Sequence, residues 1–378
     1  METRKMEKTG IEASLLGFGC MRFPVTPEGK IDEPEAEKML DQAIAAGVNY
    51  IDTAYPYHDG ASEPFVGKVL KKYDRKSFYL ATKMPPWAVE NLEDAKKVFA
   101  SQLERLQTDY IDFYLLHAMN QETWEKMLKL GVVEYCENLK KEGKIRQLGF
   151  SFHDEYEVFE RILTYRDWDF CQLQLNYMDM DEQAGRRGCE LAVKRGVPII
   201  VMEPVRGGAL AKFAEDITEK FNGMKPGASP ASFALRYAAG LPGVKVVLSG
   251  MSSMEQLEDN LKTFEDFHLL DETEQNGLEA IVNMLRSRVQ NRCTGCRYCM
   301  PCPAGVDIPG CFSAWNNYHM YQNYNVVAWA WENNVGEAAQ AKNCIQCGKC
   351  EAVCPQKISI REDLKKVQED MDKKEMRF

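Results

Sequence analysis

The stretch YIDFYLLHA, residues 110–118, is apolar or aromatic everywhere except Asp112 and His117. A run so short and so continuous in hydrophobicity suits a strand buried on both faces, as parallel sheets require. Seven similar runs share the chain with it: SLLGFGC (14–20), NYIDTA (49–54), FYLATKM (78–84), IRQLGFSF (145–152), FCQLQLNYM (170–178), PIIVMEP (198–204) and VKVVLSGM (244–251). They recur about every 30 residues, the repeat of a strand plus a crossover helix.

The segments between them carry helix signals. EPEAEKMLDQAIAAG spaces its apolar residues for one helix face and ends at Gly47, a C-cap residue. NLEDAKKVFASQLERL follows the same design, as does ETWEKMLKLGVVEYCENLKKEG, read as one helix ending at Gly143. Eight such units predict an α/β protein with a (β/α)8 TIM barrel. The rival, an open doubly wound sheet, wants a glycine-rich phosphate loop after the first strand. GFGCMRFP (17–24) puts Pro24 where that helix should begin.

Composition changes at Asn291. The barrel is therefore expected over residues 1–290 and a small, mainly helical iron–sulfur domain over 291–378. No low-complexity linker separates them, so the tail is expected to pack against the barrel. Net charge is −10 and pI about 5.3, which speaks against nucleic acid or an anionic membrane as partner. Mean hydropathy is −0.42, METRKMEKTG lacks the apolar core of a signal peptide, and no apolar run approaches a membrane span. A cytoplasmic protein is expected.

In a barrel, chemistry sits where strands end. Those ends supply Asp52 with Tyr57 in the following loop, then Lys83, His117, Ser151, Asn176, Glu203 and Ser249. An Asp, a Tyr, a Lys and a His on three consecutive strand ends form a proton-transfer set. A carbonyl that receives hydride becomes an alkoxide and needs a proton. A tyrosine can give one if a nearby ammonium lowers its pKa from about 10 toward neutrality. Lys83 would supply that charge, Asp52 would hold Lys83 charged and oriented, and His117 would align the carbonyl oxygen.

These residues resemble the aldo-keto reductases. DTAYPY (52–57) is similar to their Asp-x-x-x-x-Tyr motif, ATK (81–83) to their catalytic lysine segment and LLH (115–117) to their catalytic histidine segment. The resemblance covers about residues 1–285 and favours Tyr57 over Tyr55. It implies an NAD(P)H-dependent oxidoreductase acting on a small-molecule carbonyl or alcohol. It also implies a nicotinamide site with Ser151 and Gln172, with Met202 at the stacking position and Phe152 where Asn is usual. SGMSSMEQLEDN resembles the loop and helix that hold the adenosine phosphates, through Gly250, Met251, Ser252, Gln256 and Asn260. The Lys and Arg many members aim at a 2′-phosphate are absent there, and Glu255 and Glu258 stand nearby, which points to NADH. Arg206 is the substitute cation to consider. Loop residues Trp87, Met119 and Asn120 are expected to line a partly apolar substrate pocket.

Two motifs in the tail hold eight of the chain's thirteen cysteines. CIQCGKCEAVCP has the C-x2-C-x2-C-x3-C-P form of a [4Fe-4S] ferredoxin half, and CTGCRYCMPCP departs from it by one residue. Zinc knobs are the alternative for C-x2-C pairs. The two motifs together look like a dicluster ferredoxin. In that pattern Cys293, Cys296 and Cys299 share one cluster with Cys354, and Cys344, Cys347 and Cys350 share the other with Cys302. The aromatic stripe between the motifs (Trp315, Tyr318, Tyr321, Tyr324, Trp329, Trp331) is expected to be core. Cys20, Cys136, Cys171, Cys189 and Cys311 are expected to be small buried hydrophobes. Two functions follow from these features: a nicotinamide-linked carbonyl reductase with an iron–sulfur accessory domain, or an electron-transfer protein, with a ferredoxin-type partner, whose barrel docks or senses.

Overall fold

The computed structural model describes residues 1–376 and divides them into two compact units. The first unit comprises residues 1–205 and 231–270, and the second residues 206–230 and 271 onward.

The first unit is built on ten strands. A hairpin of β1 (Thr3–Met6) and β2 (Ile11–Ser14) precedes eight parallel strands: β3 (Leu16–Gly19), β4 (Tyr50–Asp52), β5 (Tyr79–Met84), β6 (Ile111–Met119), β7 (Ile145–Phe152), β8 (Phe170–Gln174), β9 (Ile199–Met202) and β10 (Val244–Gly250). They close in chain order, with β10 pairing with β3, into the expected (β/α)8 barrel.

Side-chain alternation explains what fills it. Tyr50, Ala81, Phe113, Leu115, Phe170, Ile200, Val246 and Leu248 form one buried cluster along the strands' inner face. Met6 and Ala13 of the hairpin join it, so a pair of four-residue strands that look polar in sequence seats two apolar residues in the barrel core. The alternate strand residues face the surrounding helices in the larger cluster.

Gly47 and Gly143 follow their helices with positive φ, as expected. The helix expected over 122–143 is instead two, Gln121–Lys129 and Val132–Lys141. Gly131 lies between them at φ 71°, a left-handed turn that most side chains resist.

The second unit is helical, with Glu215–Met224, Glu272–Ser287, Ile308–Tyr321 and Ile360–Lys373 as its longer helices. Trp315, Tyr318, Tyr321, Tyr324 and Trp331 are buried there, whereas Trp329 is 68% exposed and so departs from the expected core stripe. All five scattered cysteines are buried. Among the described residues no helix is long and apolar enough to cross a membrane.

Candidate active site and cysteine cavities

The period of two that fills the barrel also builds the site. Asp52 stands two residues beyond Tyr50, Lys83 beyond Ala81, His117 beyond Leu115, Gln172 beyond Phe170 and Met202 beyond Ile200. Each continues an inward-facing row to the carboxyl end of its strand. Phe152 is one residue out of phase with Ser151. Its ring packs 5.3 Å from Phe159 in the helix-facing cluster, so it contributes nothing to the inner face.

Lys83 Nζ donates to Asp52 Oδ1 at 2.6 Å, to the Thr53 carbonyl at 2.8 Å and to Tyr57 Oη at 3.3 Å, and the lysine is 1% exposed. Tyr55 instead lies beneath the Arg105 guanidinium, which leaves Tyr57 as the tyrosine at the lysine. The Tyr57 and His117 rings stand 6.2 Å apart, edge to face, and the half-exposed Trp87 lies 5.0 Å from the His117 ring. Gln172 Nε2 donates to the second Asp52 oxygen at 3.2 Å. Behind β5, buried Glu63 accepts from Thr82 Oγ1 and from Gln102 Nε2, and that amide also donates to the Lys83 carbonyl. Sequence reading missed this brace, because nothing in the spacing of Glu63 and Gln102 points at Lys83.

The electrostatics correct one expectation. Burial pushes the Tyr57 phenol above its ordinary value, outweighing the pull of Lys83, and Asp52 adds to the rise. The ammonium lies beside a carboxylate, so the phenol meets a paired charge and not a bare cation. Burial opposes the charge on Lys83, but Asp52 and Tyr57 more than compensate and keep its proton on. Burial, then Lys83 and His153, hold His117 well below the usual imidazole value. It is therefore neutral near pH 7, with a buried Nδ1 that has no hydrogen-bond partner.

The residues expected to hold the cofactor fall into two groups. Ser151 Oγ accepts from the Ala118 amide at 2.7 Å and lies on the same wall as Gln172 and Met202. At the end of β10, a Cβ on Gly250 would meet Arg22 Cγ at 2.7 Å, so only glycine lets that side chain lie across the strand end. Ser252 Oγ donates to the Arg22 carbonyl, its amide donates to Gln256 Oε1, and Ser253 caps the helix Met254–Glu265. A helix N-terminus with serine donors and an arginine beside it suits a pyrophosphate. Asn260 instead braces Ser249 from inside, and Met251 is buried. Arg206 belongs to the second unit, where it donates to Tyr321 Oη and Asn317 Oδ1. The cation beside the end of β10 is Arg22, which sequence reading passed over. Of the residues expected to line the pocket, Met119 is fully buried and Asn120 caps the helix Gln121–Lys129.

In the second unit two cavities are lined by cysteine. One, of about 190 Å³, is lined by five, Cys299, Cys302, Cys344, Cys347 and Cys350. The other has Cys293, Cys296, Cys299 and Cys354. Among the described residues no three His, Cys, Asp or Glu side chains stand close enough for a single metal ion. Two neighbouring spaces lined by eight cysteines in all, with Cys299 common to both, suit clusters, which spread their thiolate ligands over the corners of a cube.

Comparison with known proteins agrees with both halves. The profile of the aldo/keto reductase family matches residues 15–283, and that of a 4Fe-4S dicluster domain matches residues 292–358. The uncharacterized oxidoreductase YqkF of Bacillus subtilis is 27% identical over 292 residues, covering 69% of this chain and 90% of its own. The NADH-specific methylglyoxal reductase of Escherichia coli is 29% identical over 221 residues, 53% of this chain and 67% of its own. The holo form of an aldo-keto reductase from Bacillus halodurans superposes with a TM-score of 0.63 at 28% identity, covering 74% of this chain and 96% of that one.

Proposed function

From a chain that belongs to the aldo/keto reductase family, an NAD(P)-dependent oxidoreductase with a C-terminal 4Fe-4S dicluster domain, we propose a reductase of small carbonyls. In this reading Tyr57 is the proton donor. The observation that carries it is the chain Asp52–Lys83–Tyr57, with Lys83 Nζ 3.3 Å from the phenol oxygen and 2.6 Å from the carboxylate. When bound, a reduced nicotinamide supplies hydride. Everything else falls to the protein. His117, neutral and with an unpartnered nitrogen, aligns the carbonyl oxygen by hydrogen bonding. Tyr57 holds its proton until charge develops on that oxygen, when Lys83 favours the phenolate left behind. Ser151, Gln172 and Met202 would hold the nicotinamide end, and Gly250, Ser252, Gln256 and Arg22 the phosphates. The crossed cysteine sets expected from sequence would hold two [4Fe-4S] clusters, a reading supported by one cavity lined by Cys293, Cys296, Cys299 and Cys354 and another whose lining includes Cys302, Cys344, Cys347 and Cys350.

The test is reduction of a panel of aldehydes, ketones and sugars, anaerobically, with both nicotinamides. Turnover of none of them with either would overturn the proposal. Because Tyr57 sits above the phenol value of 10.0, the donor stays protonated through neutral and mildly alkaline pH. The reduction rate is therefore expected to stay level from about pH 7 to about pH 10 and to fall only above that. A fall centred near neutrality would assign the proton to another group.

NADH is expected to serve at least as well as NADPH. Glu255 and Glu258 are exposed on the adenosine-end helix, and the methylglyoxal reductase similar to this chain is named for NADH specificity. An NADPH preference beyond about a hundredfold, near 2.7 kcal/mol, would mean that Arg22 reaches a 2′-phosphate.

The alternative of an electron-transfer protein would gain weight if Phe152, which stands where the family has Asn, blocked the nicotinamide site. Phe152 packs away from the inner face, so it says nothing about nicotinamide binding.

A further inference from the structure

The larger cysteine cavity opens on a surface unlike the rest of the chain. Tyr298, Ile345 and Val353 line it and are 70%, 66% and 53% exposed, although large apolar side chains are normally buried. They come from both cysteine motifs, so the fold gathers them at one place. Lys349 and Arg361 line the same cavity. Arg361 is held by Glu351, whereas exposed Lys349 makes no ion pair among the described residues.

Charge sets this region apart as well. Residues 291–303 and 341–361 hold six Lys or Arg in a chain of net charge −10. Arg297, Lys342 and Arg361 are paired with Asp307, Glu337 and Glu351, whereas exposed Arg292, Lys349 and Lys357 make no ion pair among the described residues. Some of that positive charge offsets the clusters' own negative charge. The remainder makes this the part of the chain where an acidic protein meets least repulsion. An apolar centre with a basic rim, at a redox centre close to the surface, has the character of a small, transient electron-transfer interface.

We propose that this surface, formed by Tyr298, Ile345 and Val353 with Lys349 at its edge, docks a small acidic one-electron carrier protein. The proposal rests on the reading that the two motifs hold [4Fe-4S] clusters. It adds which cluster is presented, that of Cys344, Cys347, Cys350 and Cys302, and the chemistry of the partner.

The test uses the full-length protein purified anaerobically, with a small acidic flavodoxin as probe and affinity measured by titration calorimetry. Binding is expected to weaken at least tenfold as salt rises from about 0.01 M to about 1 M, over which charge interactions are progressively screened. Lys349→Glu and the double change Tyr298→Ala with Ile345→Ala should each weaken it at least tenfold at low salt. Lys38→Glu, on an exposed face of the first unit, should leave it unchanged. Iron content is read on every variant and should stay near eight per chain, about four for each cluster. Iron-replete protein that does not bind flavodoxin, or binds it equally well in all variants, overturns the docking surface alone. Iron-replete protein that ignores flavodoxin but binds anionic phosphatidylglycerol vesicles assigns the patch to a membrane and also overturns it. Wild-type protein with no iron sinks the cluster reading first, whatever the carrier does.

Discussion

Tyr57→Phe is expected to lower kcat for carbonyl reduction by about two to four orders of magnitude, the usual value of a positioned acid. Nicotinamide affinity should barely change. The substitution keeps the ring, and with it the edge-to-face contact to His117 at 6.2 Å and the apolar volume beside Lys83. Only the hydroxyl 3.3 Å from Nζ is lost. Steady-state kinetics with fluorescence titration of NADH separates the two effects. Undiminished turnover would remove Tyr57 from the mechanism.

Lys83→Met should cost at least as much in turnover and, unlike Tyr57→Phe, should also cost stability. The ammonium is the partner of a 3%-exposed carboxylate at 2.6 Å and satisfies the Thr53 carbonyl. Leaving one member of a buried pair alone is worth about 3–5 kcal/mol. The phenol, already raised by burial, then loses the one group that pulls its pKa down. The pH above which reduction falls should therefore move upward. Adding Asp52→Asn should recover part of the denaturant midpoint but none of the turnover. An unchanged pH–rate profile in Lys83→Met would defeat the pairing argument.

The barrel was legible because burial on both faces writes parallel strands as unbroken apolar runs. Asp52, Lys83 and His117 stood out because each interrupts such a run near its end. Other features lack such a contrast. The hairpin escaped notice because TRKM and IEAS each bury little apolar surface and look like a polar leader. The break at Gly131 was masked by helix-like spacing on either side. The direction of the Tyr57 shift could not be read either: a sequence displays charges, whereas the largest influence on that phenol is loss of water. Arg22 was invisible for a different reason, since its place depends on the absent side chain of Gly250, 228 positions away.

The division of the molecule into units has a consequence for how it can be taken apart. The backbone passes from one unit to the other at 205–206, returns at 230–231 and leaves again at 270–271. The cysteine-bearing unit is thus woven through the barrel sequence by residues 206–230 and is not a bead hung on its end. A protease that cuts once at any of these crossings leaves the two units covalently joined by the other two. A gene truncated after residue 290 would keep Glu215–Met224 and Glu272–Ser287 but remove the helices Ile308–Tyr321 and Ile360–Lys373 that complete their unit. Stripping apolar partners from two helices invites aggregation, so loss of activity in such a fragment would report a broken unit before it reported anything about iron.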